Sequence, residues 1–364
     1  MSKAKRIFVA ATRQNDGKTI LSLGLIRAFR KKTANIGFIK PVGQRYLIEE
    51  EEKIDEDSLL IEKTFDLDCD LKDTSPIAIE RGFTERYILK GSRRNLSKKI
   101  STSFKRVSRN KDLVIIEGTG HAGVGSVFDF SNAKVARLLN SKVIIISSGG
   151  IGRPIDEIML NKALFDAEGV ELIGVIVNKV LPSKFDKINK LVRLGLKKRG
   201  LETFGVIPYH ESLAKPTIRQ ILDETEIKLL SGEEHLDNVV DKPVVGAMEP
   251  KDAIKHIQYR SLVITPGDRE DIILAVIKKQ SSNKEHAAIS GFILSGGMLP
   301  AKNILKEVEK FNIPILISKN DTYTLATSIH DLIVKIRPQD KAKIRLIEQL
   351  VEEYVDLDLL YSRL

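Results

Sequence analysis

Short apolar runs, each closed by a polar or glycine-rich turn, recur through the first part of the chain. Ile7–Ala10, Ile36–Ile39, Leu113–Ile116, Val143–Ile146 and Leu172–Val177 are such runs, and Gly205-Val-Ile-Pro208 is a shorter one. Apolar runs of this length, without alternation, predict strands buried on both faces, as in a parallel sheet covered by helices. Between them, Ile20–Phe29 carries apolar residues at helical spacing, and Ser58–Phe65 predicts a second helix. The pattern changes after about Ser212. Helical segments around Ile218–Leu230 precede a second series of strand-like runs at Arg260–Thr265, Gly291–Leu294 and Ile313–Ile317. Lys341–Leu360 reads as an amphipathic helix that packs on a domain or a partner. The expected fold is α/β: a parallel-sheet domain over 1–212, a smaller α/β domain over 213–335, and a C-terminal helix within 336–364.

The first strand runs into the polar stretch Thr12–Asp16 and then Gly17-Lys18-Thr19 ahead of the helix. Strand, polar loop, Gly-Lys-Thr and helix make the layout of a phosphate-binding loop, or P-loop. Backbone N–H groups turn inward around phosphate oxygens, and the helix N-terminus adds its positive dipole end. Thr12, Asn15, Asp16, Gly17, Lys18 and Thr19 are therefore candidate nucleotide contacts, with Lys18 reaching the outer phosphates and the Thr19 hydroxyl a ligand of Mg²⁺. The usual spacing asks for glycine at position 12, where this chain has Thr12.

Further candidates sit where other predicted strands end, the edge at which open α/β sheets bind ligands. Lys40, in Lys40-Pro41-Val42, either caps its strand or holds an anion, and is a catalytic candidate with Lys18. Asp55 and Asp57 open a helix; they either complement its dipole or hold a water of a Mg²⁺ shell. Glu117 ends a buried strand and is the acidic residue expected to bind the Mg²⁺ that bridges nucleotide phosphates. Gly118, Gly120, Gly123 and Gly125 follow it and let backbone approach a ligand, while His121 is either a polar contact or a surface residue. Asn178 ends another strand with an amide suited to an adenine edge. The acidic run Glu49–Glu52 reads as solvated.

Composition narrows the function classes. Hydrophobic content is 42%, enough for ordinary cores, and no apolar run is long enough to cross a bilayer. The basic N-terminus Met1–Arg6 leads into strand and loop rather than a signal peptide. A single cysteine, Cys69, rules out intrachain disulfides and cysteine-rich zinc sites, and a cytoplasmic protein fits. The formal net charge is +10, yet the cations are dispersed, Trp is absent, and no aromatics interleave the clusters Lys98-Lys99, Lys105-Arg106 and Lys197–Arg199. Base-stacking platforms are not expected, nor is a nucleic-acid partner.

These residues resemble the dethiobiotin synthetase-like P-loop fold over roughly the first 210 positions. That family's Lys-Pro-Val corresponds to Lys40-Pro41-Val42, its Asp-Ala-Leu to Asp57-Ser58-Leu59, its Glu-Gly-Ala-Gly to Glu117–Gly120, and its Val-Asn-Arg to Val177-Asn178-Lys179. The resemblance implies Lys18 and Thr19 on phosphates and metal, Asp57 and Glu117 on Mg²⁺, Asn178 on the base, and a homodimer. Its loop glycine and Thr-Asp are replaced here by Ala11 and Thr12-Arg13. Arg13 either reaches a phosphate across a dimer interface or is a solvated loop residue. Thr265–Ile272 and Leu294–Gly297 resemble the DRTGG domain, and the two halves together look like the N-terminal region of long phosphotransacetylases. Those enzymes continue into a catalytic acetyltransferase domain, so acetyl transfer is not implied.

The resulting expectation is a regulatory or sensory Mg-ATP-binding module with at most slow hydrolysis. A small-molecule ligand or a metabolic enzyme is the expected partner. Pro266–Arg269 and Gly296-Gly297 are either a second ligand pocket or tight turns. The alternative is an ATP-dependent ligase acting on a carboxylate or amine metabolite, of the dethiobiotin synthetase or cobyrinate diamide synthase type. A self-contained glutaminase is excluded because Cys69, the sole cysteine, lies inside the first domain.

Overall fold

The computed structural model describes residues 4–49, 51–282, 289–311 and 313–364. Met1–Lys3 of the basic N-terminus and Glu50 of the acidic run lie outside the described residues. The chain divides into two compact units, one formed by the residues up to His210 together with Ile336–Leu364, the other by Glu211–Lys335.

The first unit is built on six parallel strands: β1 (Lys5–Ala11), β2 (Ile36–Ile39), β7 (Leu113–Glu117), β8 (Lys142–Ser148), β9 (Leu172–Val180) and β10 (Thr203–Pro208). Their order across the sheet is β10-β9-β8-β1-β7-β2. The apolar runs explain the strands: Ile7–Ala11 and Leu113–Ile116 have no exposed surface, because helices cover both faces. Four short strands lie outside this sheet: β3 (Val42–Gly43) pairs with β6 (Ile77–Ala78), and β4 (Tyr46–Glu49) pairs antiparallel with β5 (Glu52–Asp55). The acidic run therefore contributes its flanks to a two-stranded ribbon. β1 sits between β7 and β8, so the carboxyl ends of the three adjoin. This order brings the loop after β1, Glu117 on β7 and the end of β8 to one edge, with β2 and β9 next out on either side.

Helix α1 (Lys18–Phe29) follows the loop and is buried almost all round, including Leu21, Leu23, Leu25, Ile26 and Phe29. A helix apolar on every side needs cover on both. One cover is the sheet. The other is the C-terminal segment, where the expected single helix is two, Lys341–Tyr354 and Leu357–Arg363. Val351 packs so closely over Gly24 that no side chain larger than hydrogen fits there. The segment also caps the edge strand β10, where the Asp356 N–H donates to Phe204 O at 2.7 Å.

The second unit holds a five-stranded sheet, ordered β11-β15-β14-β13-β12. Its strands are β11 (Lys228–Ser231), β12 (Lys242–Val245), β13 (Ser261–Pro266), β14 (Gly291–Ser295) and β15 (Ile315–Ile317). The three predicted runs form its parallel centre, and β11 joins antiparallel at one edge. Among the described residues no helix is long and apolar enough to cross a membrane.

Candidate functional site

The loop between β1 and α1 is held from within by Asp16, which is buried. Its carboxylate accepts from the Thr12 hydroxyl at 2.7 Å, from the Arg13 N–H at 2.8 Å and from the Ser148 hydroxyl. The Thr12 hydroxyl also lies 3.2 Å from the Ser147 hydroxyl, and the Thr12 N–H donates to Ile146 O at 2.8 Å. Thr12 thus fastens the loop to β8 at the position where the usual motif has glycine. Gly17 caps α1 at φ 112°, a left-handed conformation suited to glycine, and provides no side-chain cap for the first-turn N–H groups.

Lys18 follows. It is only 9% exposed, and among the described residues its ammonium has no hydrogen-bond or ion-pair partner. Burial lowers its pKa, opposed mainly by Glu117. Thr19 and Ser22, one helical turn apart on α1, both reach Glu117: their hydroxyls donate to Oε1 at 2.9 Å and to Oε2 at 2.8 Å. The Glu117 carboxyl is fully buried, and burial together with the negative charge of Asp57 pushes it up to about 7.

Lys40 extends from the end of β2 into a cage of acids. Its ammonium lies 2.9 Å from Asp55 Oδ1, contacts Asp57 Oδ2, and stands 3.9 Å from Glu117 Oε1. Burial alone would lower the Lys40 pKa; Asp57, Asp55 and Glu117 outweigh it and raise it. Asp55 also caps α2 (Glu56–Phe65), accepting the Asp57 N–H at 2.9 Å. Of the two alternatives for this acidic pair, the helix-terminus role is the one seen here, with Asp55 at the cap and Asp57 in the first turn. Among the described residues no group of three or more His, Cys, Asp or Glu side chains is arranged to hold a metal ion by itself. Asp57, Glu117 and the Thr19 hydroxyl would supply at most part of an octahedral Mg²⁺ shell, the remainder falling to water or a ligand.

The glycine-rich turn after Glu117 is tied to its own chain. Asn132 accepts the Thr119 N–H at 3.0 Å and donates to Thr119 O and His121 O, both at 2.7 Å. A side chain at Gly125 would strike Phe130 O, so that glycine serves a close approach within the turn. The His121 ring is exposed and accepts only the Gly123 N–H, which fits a surface residue. Arg13 is paired with Glu157, which also binds Arg153 at 2.9 Å. Asn178 is buried, and its amide donates to Asp16 O at 2.8 Å.

In the second unit, the Gly296 and Gly297 N–H groups donate to Asn320 O and Ser318 O at 2.8 and 2.7 Å, and Gly267 lies against the Met298 backbone. Arg269 is paired with Asp271 at 2.8 Å. These features fit tight turns whose donors are already satisfied.

Sequence reasoning missed Ser22, Asn132, Ser147 and Ser148. Ser22 alone left a signal, its spacing of one helical turn from Thr19.

Residues 5–217 match the AAA_26 family, described as AAA domain, and residues 220–332 match the DRTGG domain. The chain belongs to the AAA_26 family. Its first unit is a P-loop NTPase-type parallel sheet, followed by a DRTGG domain. Among curated relatives, a phosphate acetyltransferase of Nitratidesulfovibrio vulgaris is 28% identical, covering 99% of this chain and 52% of the relative. A phosphate acetyltransferase of Synechocystis sp. is 26% identical, covering 98% of this chain and 51% of the relative. The chain thus spans about half the length of these relatives. Among solved structures, the MinC:MinD cell division protein complex of Aquifex aeolicus matches 58% of this AAA_26 chain and 84% of its own, at 13% identity and a TM-score of 0.37.

Proposed function

We propose that the first unit binds Mg-ATP as a regulatory module, with at most slow hydrolysis. One observation carries the reading: Lys18 is only 9% exposed, and among the described residues its ammonium makes no hydrogen bond or ion pair, beside the uncapped N-terminus of α1. A buried cation without a partner is costly, and an incoming phosphate is the partner this layout suits. Lys18 and the loop N–H groups would hold the phosphates. Thr19, Asp57 and Glu117 would hold Mg²⁺, which neutralises phosphate charge when bound.

Lys40 is engaged by Asp55 and Asp57, and Arg13 by Glu157, so neither of these two candidates stands free to receive a substrate anion, which supports binding over group transfer. Relatives named phosphate acetyltransferase support a metabolic enzyme as the partner, a cytoplasmic setting and a small-molecule signal; family resemblance supports a homodimer.

The test is calorimetry with Mg-ATP on the wild type and Lys18→Ala, with and without chelator. Wild-type binding is expected to weaken at least tenfold in Lys18→Ala, the scale of one lost charge-assisted contact, and to weaken again when the metal is removed. Equal binding in both proteins, or none in the wild type, overturns the reading. Rapid hydrolysis stimulated by a carboxylate or amine metabolite would move it to the ligase class.

A further inference from the structure

Asn178 and Lys179 lie near the carboxyl end of β9, beside the loop, and both are joined to its backbone. The Asn178 amide Nδ2 donates to Asp16 O at 2.8 Å, and its Oδ1 accepts the Lys179 N–H at 2.9 Å. The Lys179 ammonium donates to Asn15 O at 2.6 Å. Consecutive loop carbonyls are therefore held by consecutive side chains. The fit at Gly17 is equally close, since a Cβ there would lie 2.3 Å from Asn178 Nδ2. Asn15 and Lys179 both take left-handed backbone conformations, at φ 67° and 58°. Non-glycine residues hold such conformations when their surroundings enforce them, and here the two are bonded to each other.

We infer that Asn178 and Lys179 are positioning residues that set the loop carrying Lys18, a role Asn178 holds whether or not it also meets a base. The inference rests on the nucleotide reading above and refines it. The Asn178 amide, only 6% exposed, directs one of its two donors to Asp16 O and accepts the Lys179 N–H, so its orientation is fixed by the loop before any base arrives. Its removal releases the carbonyl just before Gly17, and with it the aim of the Lys18 ammonium and of the first-turn N–H groups.

The two roles separate with a ligand that has no base. Inorganic tripolyphosphate, ATP and GTP, each with Mg²⁺, are titrated into the wild type, Asn178→Ala and Lys179→Met. Positioning predicts that Asn178→Ala weakens all three by one common factor of about tenfold, or ~1.4 kcal/mol, the scale of one buried hydrogen bond. Lys179→Met is expected to weaken all three by a smaller common factor. Amide exchange over residues 13–19 is expected to quicken in both variants before any ligand is added. A change confined to ATP, with tripolyphosphate binding intact, overturns the inference and leaves Asn178 a base contact alone. Lys179 is exposed, so Lys179→Met supplies a folded variant should Asn178→Ala fail to fold. If the wild type binds none of the three, the nucleotide reading falls, and loop exchange still decides whether the two residues support the loop.

Discussion

The packing of α1 against the C-terminal helix yields a quantitative prediction. A methyl group at Gly24 would lie 2.3 Å from Val351 Cγ2 and 2.5 Å from Val351 Cβ. Carbon atoms pack at about 3.5–4.0 Å, so Gly24→Ala forces the two helices apart by more than about 1 Å or strains Val351. Overpacking of this kind costs about 1–3 kcal/mol, and alanine returns about 1 kcal/mol of helix propensity, for a net loss near ~1 kcal/mol. Val351 has no exposed surface, and Val351→Ala should cost about 2 kcal/mol in lost burial and cavity. In the double variant the methyl group introduced at position 24 enters the space Val351 left. The clash with Cγ2 is gone, but the 2.5 Å approach to Cβ, which alanine keeps, remains, so the loss should fall below the additive ~3 kcal/mol without reaching the ~1 kcal/mol of full relief. The coupling is then about 1 kcal/mol in favour of the pair. Urea unfolding followed by circular dichroism measures each protein, and exchange at α1 amides identifies the transition that belongs to the first unit. A Gly24→Ala protein as stable as the wild type, with additive behaviour in the double variant, would refute the packing argument.

Three further outcomes follow from the same geometry. Lys40→Met leaves Asp55 and Asp57 facing each other without their cation; a loss of about 3–5 kcal/mol is expected in thermal melts, partly recovered by adding Asp57→Asn. Asn132→Ala removes an acceptor and two donations from the turn after Glu117. It should cost about 2–3 kcal/mol and lower the melting midpoint by several degrees. Burial raises the pKa of the half-buried Cys69 thiol. Alkylation near pH ~7.5 should run at least tenfold slower than for a free thiol and accelerate on raising the pH or unfolding the protein; parity with free cysteine in the folded state would contradict this.

The parts legible from sequence were those where a local pattern had one physical solution. Runs such as Leu113–Ile116 are too apolar for any place but the interior, and Gly17-Lys18-Thr19 between strand and helix has few other uses. The sheet order was less accessible, yet once such strands alternate with helices their carboxyl ends carry the candidates, and Lys18, Lys40 and Glu117 do meet there. What stayed hidden depended on distant partners. The two-stranded ribbon at Tyr46–Asp55 has no apolar alternation to announce it, and its purpose shows only when Asp55 is seen against Lys40. Asn178 reads as a base contact from its place in the sequence; its bond to the Asp16 carbonyl beneath the loop left no signal there. Nothing near Lys341 indicates that its helix covers α1, since the residues it meets lie more than three hundred positions earlier.

That separation sets an order of events during synthesis. The helix Lys341–Tyr354 is translated after all of Glu211–Lys335. At about 5–20 residues per second, that intervening stretch alone delays its arrival by roughly 6–25 s. Until then the face of α1 around Gly24 is bare, although the loop and every strand of its sheet have already been made. The loop between β1 and α1 is thus made well before the helix behind it is secured. In that interval the nascent chain presents an apolar stripe for chaperones to shield.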